Sequence, residues 1–140
     1  MSTDIGALEP EFSDFLYLTL DHGVGSVEGG GPLIPFVLFE SRGQREIRRF
    51  ALDRLEESVE AAFAFASEKQ DRAERVAVAF DGFLTWEGER TDAIYVEASD
   101  RPTAGHVVVA QRYRPKRLLS KLKRLGDPVF LDVAAFGKLR

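Results

Sequence analysis

Glu97 and His106 stand in two consecutive alternating segments, "TDAIYVEAS" and "GHVVVAQRY". A carboxylate beside an imidazole raises the pKa of the ring and fixes its orientation, which is how a general base is built. If the intervening turn closes with Ala98 opposite Gly105, Glu97 lies directly across from His106, because side chains on paired strands meet at facing positions. Carried one strand further, through a three-residue loop at Glu87–Glu89, the same register sets Asp81 beside Tyr95. This surface offers Glu97, His106 and Asp81 as candidate catalytic groups, with Tyr95 and Arg112 to line a pocket and hold a ligand. The competing reading is the wet face of a one-sided sheet, whose cross-strand pairs are worth about 0.2–1 kcal/mol each.

A second candidate is electrostatic. From Arg112 to Arg124 the chain carries seven cations and no acid in thirteen residues. Arg114, Lys116, Arg117, Lys121, Lys123 and Arg124 are the candidate anion or nucleic-acid contacts, with Tyr113 placed to stack on a base. Leu118, Leu119, Leu122 and Leu125 recur at helical spacing, so the basic amphipathic segment 112–126 reads as a short helix that Gly126 ends. The whole-chain balance opposes a nucleic-acid role, with a net charge of −4 and a pI near 5.3. Residues 1–111 hold 10 Lys and Arg against 21 Asp and Glu, a net −11, while 112–140 hold 9 against 2, a net +7. The basic segment therefore either binds an external polyanion or is neutralised by acid of the same protein, such as a helix bearing Glu56, Glu57 and Glu60, or across a dimer.

Metal and cofactor chemistry find little support. The chain has no cysteine, which removes disulfides, thiol nucleophiles and thiolate metal sites. His22 and His106 are far apart, and neither lies in an H-E-x-x-H spacing. Asp81, Asp92 and Glu97 carry oxygens suited to Mg²⁺, but in this register Asp92 faces away from the other two. "TDAIYVEAS" is similar to the strand motif of restriction-type nucleases, an Asp followed by Glu-x-Lys, yet Ser99 stands where that motif has its lysine. The glycine-rich stretch 24–32 lacks the Gly-Lys-Ser/Thr of a phosphate-binding loop and runs into Pro32. No metal and no cofactor is expected.

The elements that position these groups follow from pattern. "EPEFSDFLYLTLDHGVG" predicts a helix from Pro10 to His22 that Gly23 stops, with an edge strand through "FLYLTL" as the alternative. "PFVLFE" and "QREIRRFAL" read as a hairpin joined by "SRGQ". Asp53 followed by Glu56 marks the start of a helix reaching Lys69, with Leu55, Val59, Ala62, Phe63 and Ala66 on one stripe. Strands near 75–86, 91–98 and 105–113 form a meander, and "PVFLDV" adds a last strand. In the assumed register Val76, Val78, Phe80, Ile94, Val96, Val107 and Val109 share one core face. This is an α+β class: one domain over 1–140, a mainly antiparallel sheet of about five to six strands, and one long helix with one or two shorter helices packed on one face.

No apolar run approaches the roughly 18–20 residues that span a bilayer, and the acidic start is unlike a secretory leader, so a cytoplasmic protein without membrane contact is expected. The leading functional expectation is a small binding or regulatory module acting through protein–protein contacts, self-associating as a homodimer. Phe12, Phe15, Phe65, Phe83 and Trp86 are its candidate interface aromatics. The alternatives are a hydrolase-like enzyme using Glu97 and His106, and nucleic-acid binding through 112–124.

Overall fold

The computed structural model describes residues 5–139. A 3₁₀ turn at Ile5–Ala7 leads into α1 (Pro10–Val27), β1 (Phe36–Ser41), β2 (Gln44–Arg49), α2 (Leu55–Gln70), β3 (Arg75–Trp86), β4 (Glu89–Asp100) and β5 (Gly105–Arg114). Two short strands, β6 (Lys123–Arg124) and β7 (Val129–Leu131), and the one-turn helix α3 (Val133–Phe136) follow. All strands join one antiparallel sheet in the order β2-β1-β3-β4-β5-β6, with β7 also paired to β5. The class is α+β, as the pattern predicts.

The β3–β4 turn decides how this sheet is buried. Glu87 and Gly88 both have positive φ, 50° and 81°, the signature of a two-residue type I′ turn. Trp86 therefore pairs with Glu89 and Phe80 with Tyr95. The expected three-residue loop is one residue too long, and with a side-chain period of two that residue turns all of β3 over relative to β4. Val76 and Val78 leave the face of Ile94, Val96, Val107 and Val109 and join that of Tyr95 and Glu97. Apolar side chains now emerge on both faces, and each face needs a cover.

Helix α1 covers one face and α2 the other, so the long helices do not lie together on one side. Phe12, Phe15, Leu16, Leu20, Val24 and Val27 of α1 bury against Ala77, Ala79, Ile94, Val96, Val107 and Val109. Ala62, Phe63 and Ala66 of α2 bury against Val37, Val76 and Val78. The two clusters divide β1 between them, with Phe36 and Leu38 facing α1 and Val37 facing α2.

Local signals explain the helices in part. Pro10 opens α1, and the Glu9 carboxylate accepts from the amides of Glu11 and Phe12 at 3.1 and 3.3 Å. The helix then runs past His22 to Val27, through Gly23, which sequence reading takes as its stop. Gly23 serves close approach instead: a Cβ there would stand 2.9 Å from Ile94 Cγ2. At α2 the N-cap is Arg54 without a side-chain bond, not Asp53; Ser58 Oγ accepts from the Leu52 amide at 2.9 Å.

One buried ion cluster ties the α1 face together. The Arg75 guanidinium, 5% exposed, lies 2.8 Å from Glu11 of α1, 2.7 Å from Glu40 of β1 and 2.8 Å from Asp100 of β4. Desolvation works against its charge but is outweighed by hydrogen bonding and attraction to Glu40 and by the Asp100 charge, so its pKa rises. Removing Arg75 would leave buried Asp100 with no ion partner among the described residues, and such clusters lock element positions more than they add stability.

Residues 115–124 are not a helix. After Pro115 the chain forms a turn in which Arg117 and Ser120 exchange backbone hydrogen bonds of 2.9 and 3.2 Å, and it returns to pair Arg124 with Tyr113 and Lys123 with Arg114. Buried Gln111 fastens the base, its Nε2 donating to the carbonyls of Arg112 and Gly126 at 3.0 Å each. The free edge of β5 supplies a backbone partner that an isolated helix on this surface would forgo. Of the four leucines, Leu122 and Leu125 are half-buried and Leu118 and Leu119 stand in solvent.

The turn gives a prediction of two signs. Gly88→Ala, which keeps φ near +81°, destabilises by about 1–2 kcal/mol. Glu87→Asn, better suited to the left-handed region, stabilises by a fraction of that. Urea denaturation of the two variants checks both.

Candidate functional site

Glu97 and His106 do meet, though not as facing partners. Glu97 lies across from Val108, and Ser99 from His106. The pair is diagonal on one face, and His106 Nε2 sits 2.6 Å from Glu97 Oε2. The C-terminal residues complete the arrangement. The Lys138 amide donates to Glu97 Oε1 at 2.7 Å and the Leu139 amide to Oε2 at 2.9 Å. Gly137 makes this approach feasible, since a Cβ there would stand 2.6 Å from the Val133 carbonyl oxygen and 3.2 Å from Glu97 Oε2.

The chemistry that follows is anchoring. With three protein groups on its two oxygens and a side chain 2% exposed, Glu97 is held by His106 and by the 138–139 backbone. It clasps the 138–139 backbone so that Leu139 buries beside α2 and Lys138 Nζ lies over the rings of Phe63 and Phe80 at 5.5 and 5.2 Å. His106, 24% exposed, is oriented by the carboxylate and reachable from solvent.

The remaining candidates part company. Asp81 lies on the α1 face, across from Ile94 rather than beside Tyr95. Both of its carboxylate oxygens are 2.9 Å from the Tyr113 hydroxyl. Burial raises the Asp81 pKa and the nearby Asp92 charge adds to this, against a lowering by the Tyr113 bond. The Tyr113 hydroxyl is in turn pushed up, chiefly by burial and then by Asp81. Asp92 thus shares a face with Asp81, and it is Glu97 that lies opposite. Tyr95 stacks on Phe80 at 5.2 Å and donates to the Phe83 carbonyl at 2.7 Å. Arg112 is half-buried on the Glu97 face, beside Gly126 and away from Asp81. Of the five residues expected on one surface, Tyr95, Glu97, His106 and Arg112 share a face and Asp81 lies on the other. Among the described residues no group of three His, Asp or Glu is arranged to hold a metal, and no helix is long and apolar enough to cross a membrane.

The interface aromatics divide as well. Phe12 and Phe15 are core, Phe65 and Trp86 pack against core clusters, and Phe83 is exposed with the Arg90 guanidinium 4.4 Å from its ring centre.

What the structure does gather is the basic segment. Leu118 and Leu119 form the tip of the β5–β6 hairpin, each 95% exposed. Around them stand Lys116, Arg117, Lys121 and Lys123, with no ion pair among the described residues, while Arg114 reaches Glu89 at 3.7 Å and Arg124 reaches Asp21 at 2.8 Å. Two bare leucines ringed by cations are what sequence periodicity misses, because it assigns those leucines to a buried stripe. Pro115 just past a strand, with Gly-Asp-Pro closing the segment, is the signal for a hairpin.

Two outcomes follow. For Asp81 the raised folded pKa means that the folded state holds its proton better than the unfolded one, so this group favours folding below the ordinary Asp range and opposes it as pH rises through the folded pKa. Asp81→Asn, keeping an acceptor for Tyr113, is expected to raise the melting temperature at neutral pH, with the gain vanishing in acid. Glu97→Ala is expected to expose the Lys138 and Leu139 amides to rapid hydrogen exchange and cost about 1–3 kcal/mol, measurable by exchange mass spectrometry and chemical unfolding. No protein-family model, curated protein or solved structure matches this chain.

Proposed function

We propose that the protein is a binding module whose contact element is the β5–β6 hairpin, engaging a protein surface that carries an apolar socket with an acidic rim. The observation that carries this reading is the exposure of Leu118 and Leu119, 95% each, at the centre of unpaired cations. Leaving two adjacent leucines in water forgoes about 1.5–3 kcal/mol for each side chain that a partner could bury. The surrounding charge steers an acidic partner and sets register, while the leucines supply affinity. The acid–base reading keeps the Glu97–His106 pair, 2.6 Å apart, but loses Asp81, which lies on the other face of the sheet. Nucleic-acid binding accounts for the cations but gives the leucines no role, since phosphate contacts need charge and base contacts favour aromatic stacking.

The test separates these partners by what each needs. Binding is measured against three probes: a synthetic helical peptide with a leucine stripe flanked by glutamates, single-stranded DNA, and phosphatidylserine vesicles. The expected result is peptide binding that salt weakens and that Leu118→Ser with Leu119→Ser weakens by about tenfold or more. DNA binding that survives the serine substitutions but is lost in Lys121→Glu with Lys123→Glu would replace the reading with a nucleic-acid one. Vesicle binding alone would replace it with a membrane one, and no binding to any probe would remove the hairpin as a contact element.

A further inference from the structure

We infer that the socket is on a second copy of this chain: the Leu118–Leu119 tip of one copy seats in the groove between α2 and β3 of another. The inference rests on the reading of the hairpin as the contact element and names its partner. The groove, about 350 Å³, is floored by Leu55, Val59 and Phe80 and rimmed by Glu56, Glu60 and Lys138. Leu55 is 48% exposed, so the floor is open to an incoming side chain. The Lys138 ammonium lies over the rings of Phe63 and Phe80, and with it the two glutamates leave the lining one negative charge in excess.

The two surfaces match in both of the terms that matter. An apolar tip ringed by four unpaired cations meets an apolar floor edged by carboxylates that are equally unengaged: Glu60 makes no ion pair among the described residues, and Glu56 only a 3.9 Å contact with exposed Arg54. The charge of the chain points the same way. Residues 1–111 carry a net −11 and 112–140 a net +7, yet among the described residues of one copy the hairpin's ion pairs are those of Arg114 with Glu89 and of Arg124 with Asp21. The hairpin does not reach its own α2 through any of these pairs, so the basic tip and the acidic groove are both left over and complementary. If each copy's tip enters the other's groove, the contact is made twice and closes as a two-fold dimer. Doubling brings a short element nearer to the roughly 1,600 Å² that stable interfaces bury.

Sedimentation of the full-length protein over rising concentration tests this. The wild-type chain is expected to self-associate reversibly, less at high salt. Leu118→Ser with Leu119→Ser, and separately Glu56→Lys with Glu60→Lys, are each expected to weaken association by about tenfold or more. All four positions are exposed, and unchanged circular dichroism and melting would confirm folding. Adding Lys116→Glu, Arg117→Glu, Lys121→Glu and Lys123→Glu to the Glu56→Lys, Glu60→Lys chain exchanges the two charge patterns and is expected to restore self-association. A chain that stays monomeric at every concentration, or a dimer indifferent to the groove substitutions, overturns the inference. A monomer that still binds the leucine–glutamate peptide through its hairpin removes the second copy alone. One that binds no probe removes the contact element as well.

Discussion

The Glu87–Gly88 turn is the constraint on which the rest of the molecule depends. Two residues with positive φ make a type I′ turn whose twist suits the strands on either side, and they leave no room for a third. The twelve-residue strands they join are thereby locked with Phe80 against Tyr95. Every later feature inherits that phase, because the face on which each β3 side chain emerges was decided at the turn.

Its first consequence is a sheet with two buried faces. Small residues on β3 (Ala77 and Ala79) let α1 settle close, with Gly23 meeting Ile94, while Val76 and Val78 feed the α2 side. A sheet covered on both sides has little wet surface for a catalytic floor. Glu97, which a one-sided sheet would expose, is buried and bonded to His106 and to two backbone amides. A buried carboxylate with donors on both oxygens holds structure together, and here it holds residues 138–139 against the core.

What remains for interaction is at the edges. The cations of the last quarter of the chain are gathered on a hairpin that leaves the sheet and carries its most exposed apolar side chains at the tip. The acid is concentrated elsewhere, notably on α2. This separation of charge and apolar surface is the ground on which the proposed contact between two copies rests.

The sequence by itself determined the α2 helix, the β1–β2 hairpin and the β3–β4–β5 meander, which follow from local periodicity and punctuation, while it left 12–22 open between helix and edge strand and did not show the basic segment's hairpin or α3. It also singled out Glu97 with His106, because two residues on adjacent strands with matching parity share a face whether they are paired directly or diagonally. Tertiary structure alone decided which face each strand shows, since one residue of turn length inverts the phase without changing any local pattern. It decided too that Leu118 and Leu119 lie in solvent, because the open edge of β5 captured a segment whose spacing fits a helix equally well. The partners of Glu97 were illegible for a related reason: the Lys138 and Leu139 amides are backbone groups, which every residue but proline carries, and only the folded chain shows which of them a buried carboxylate will find.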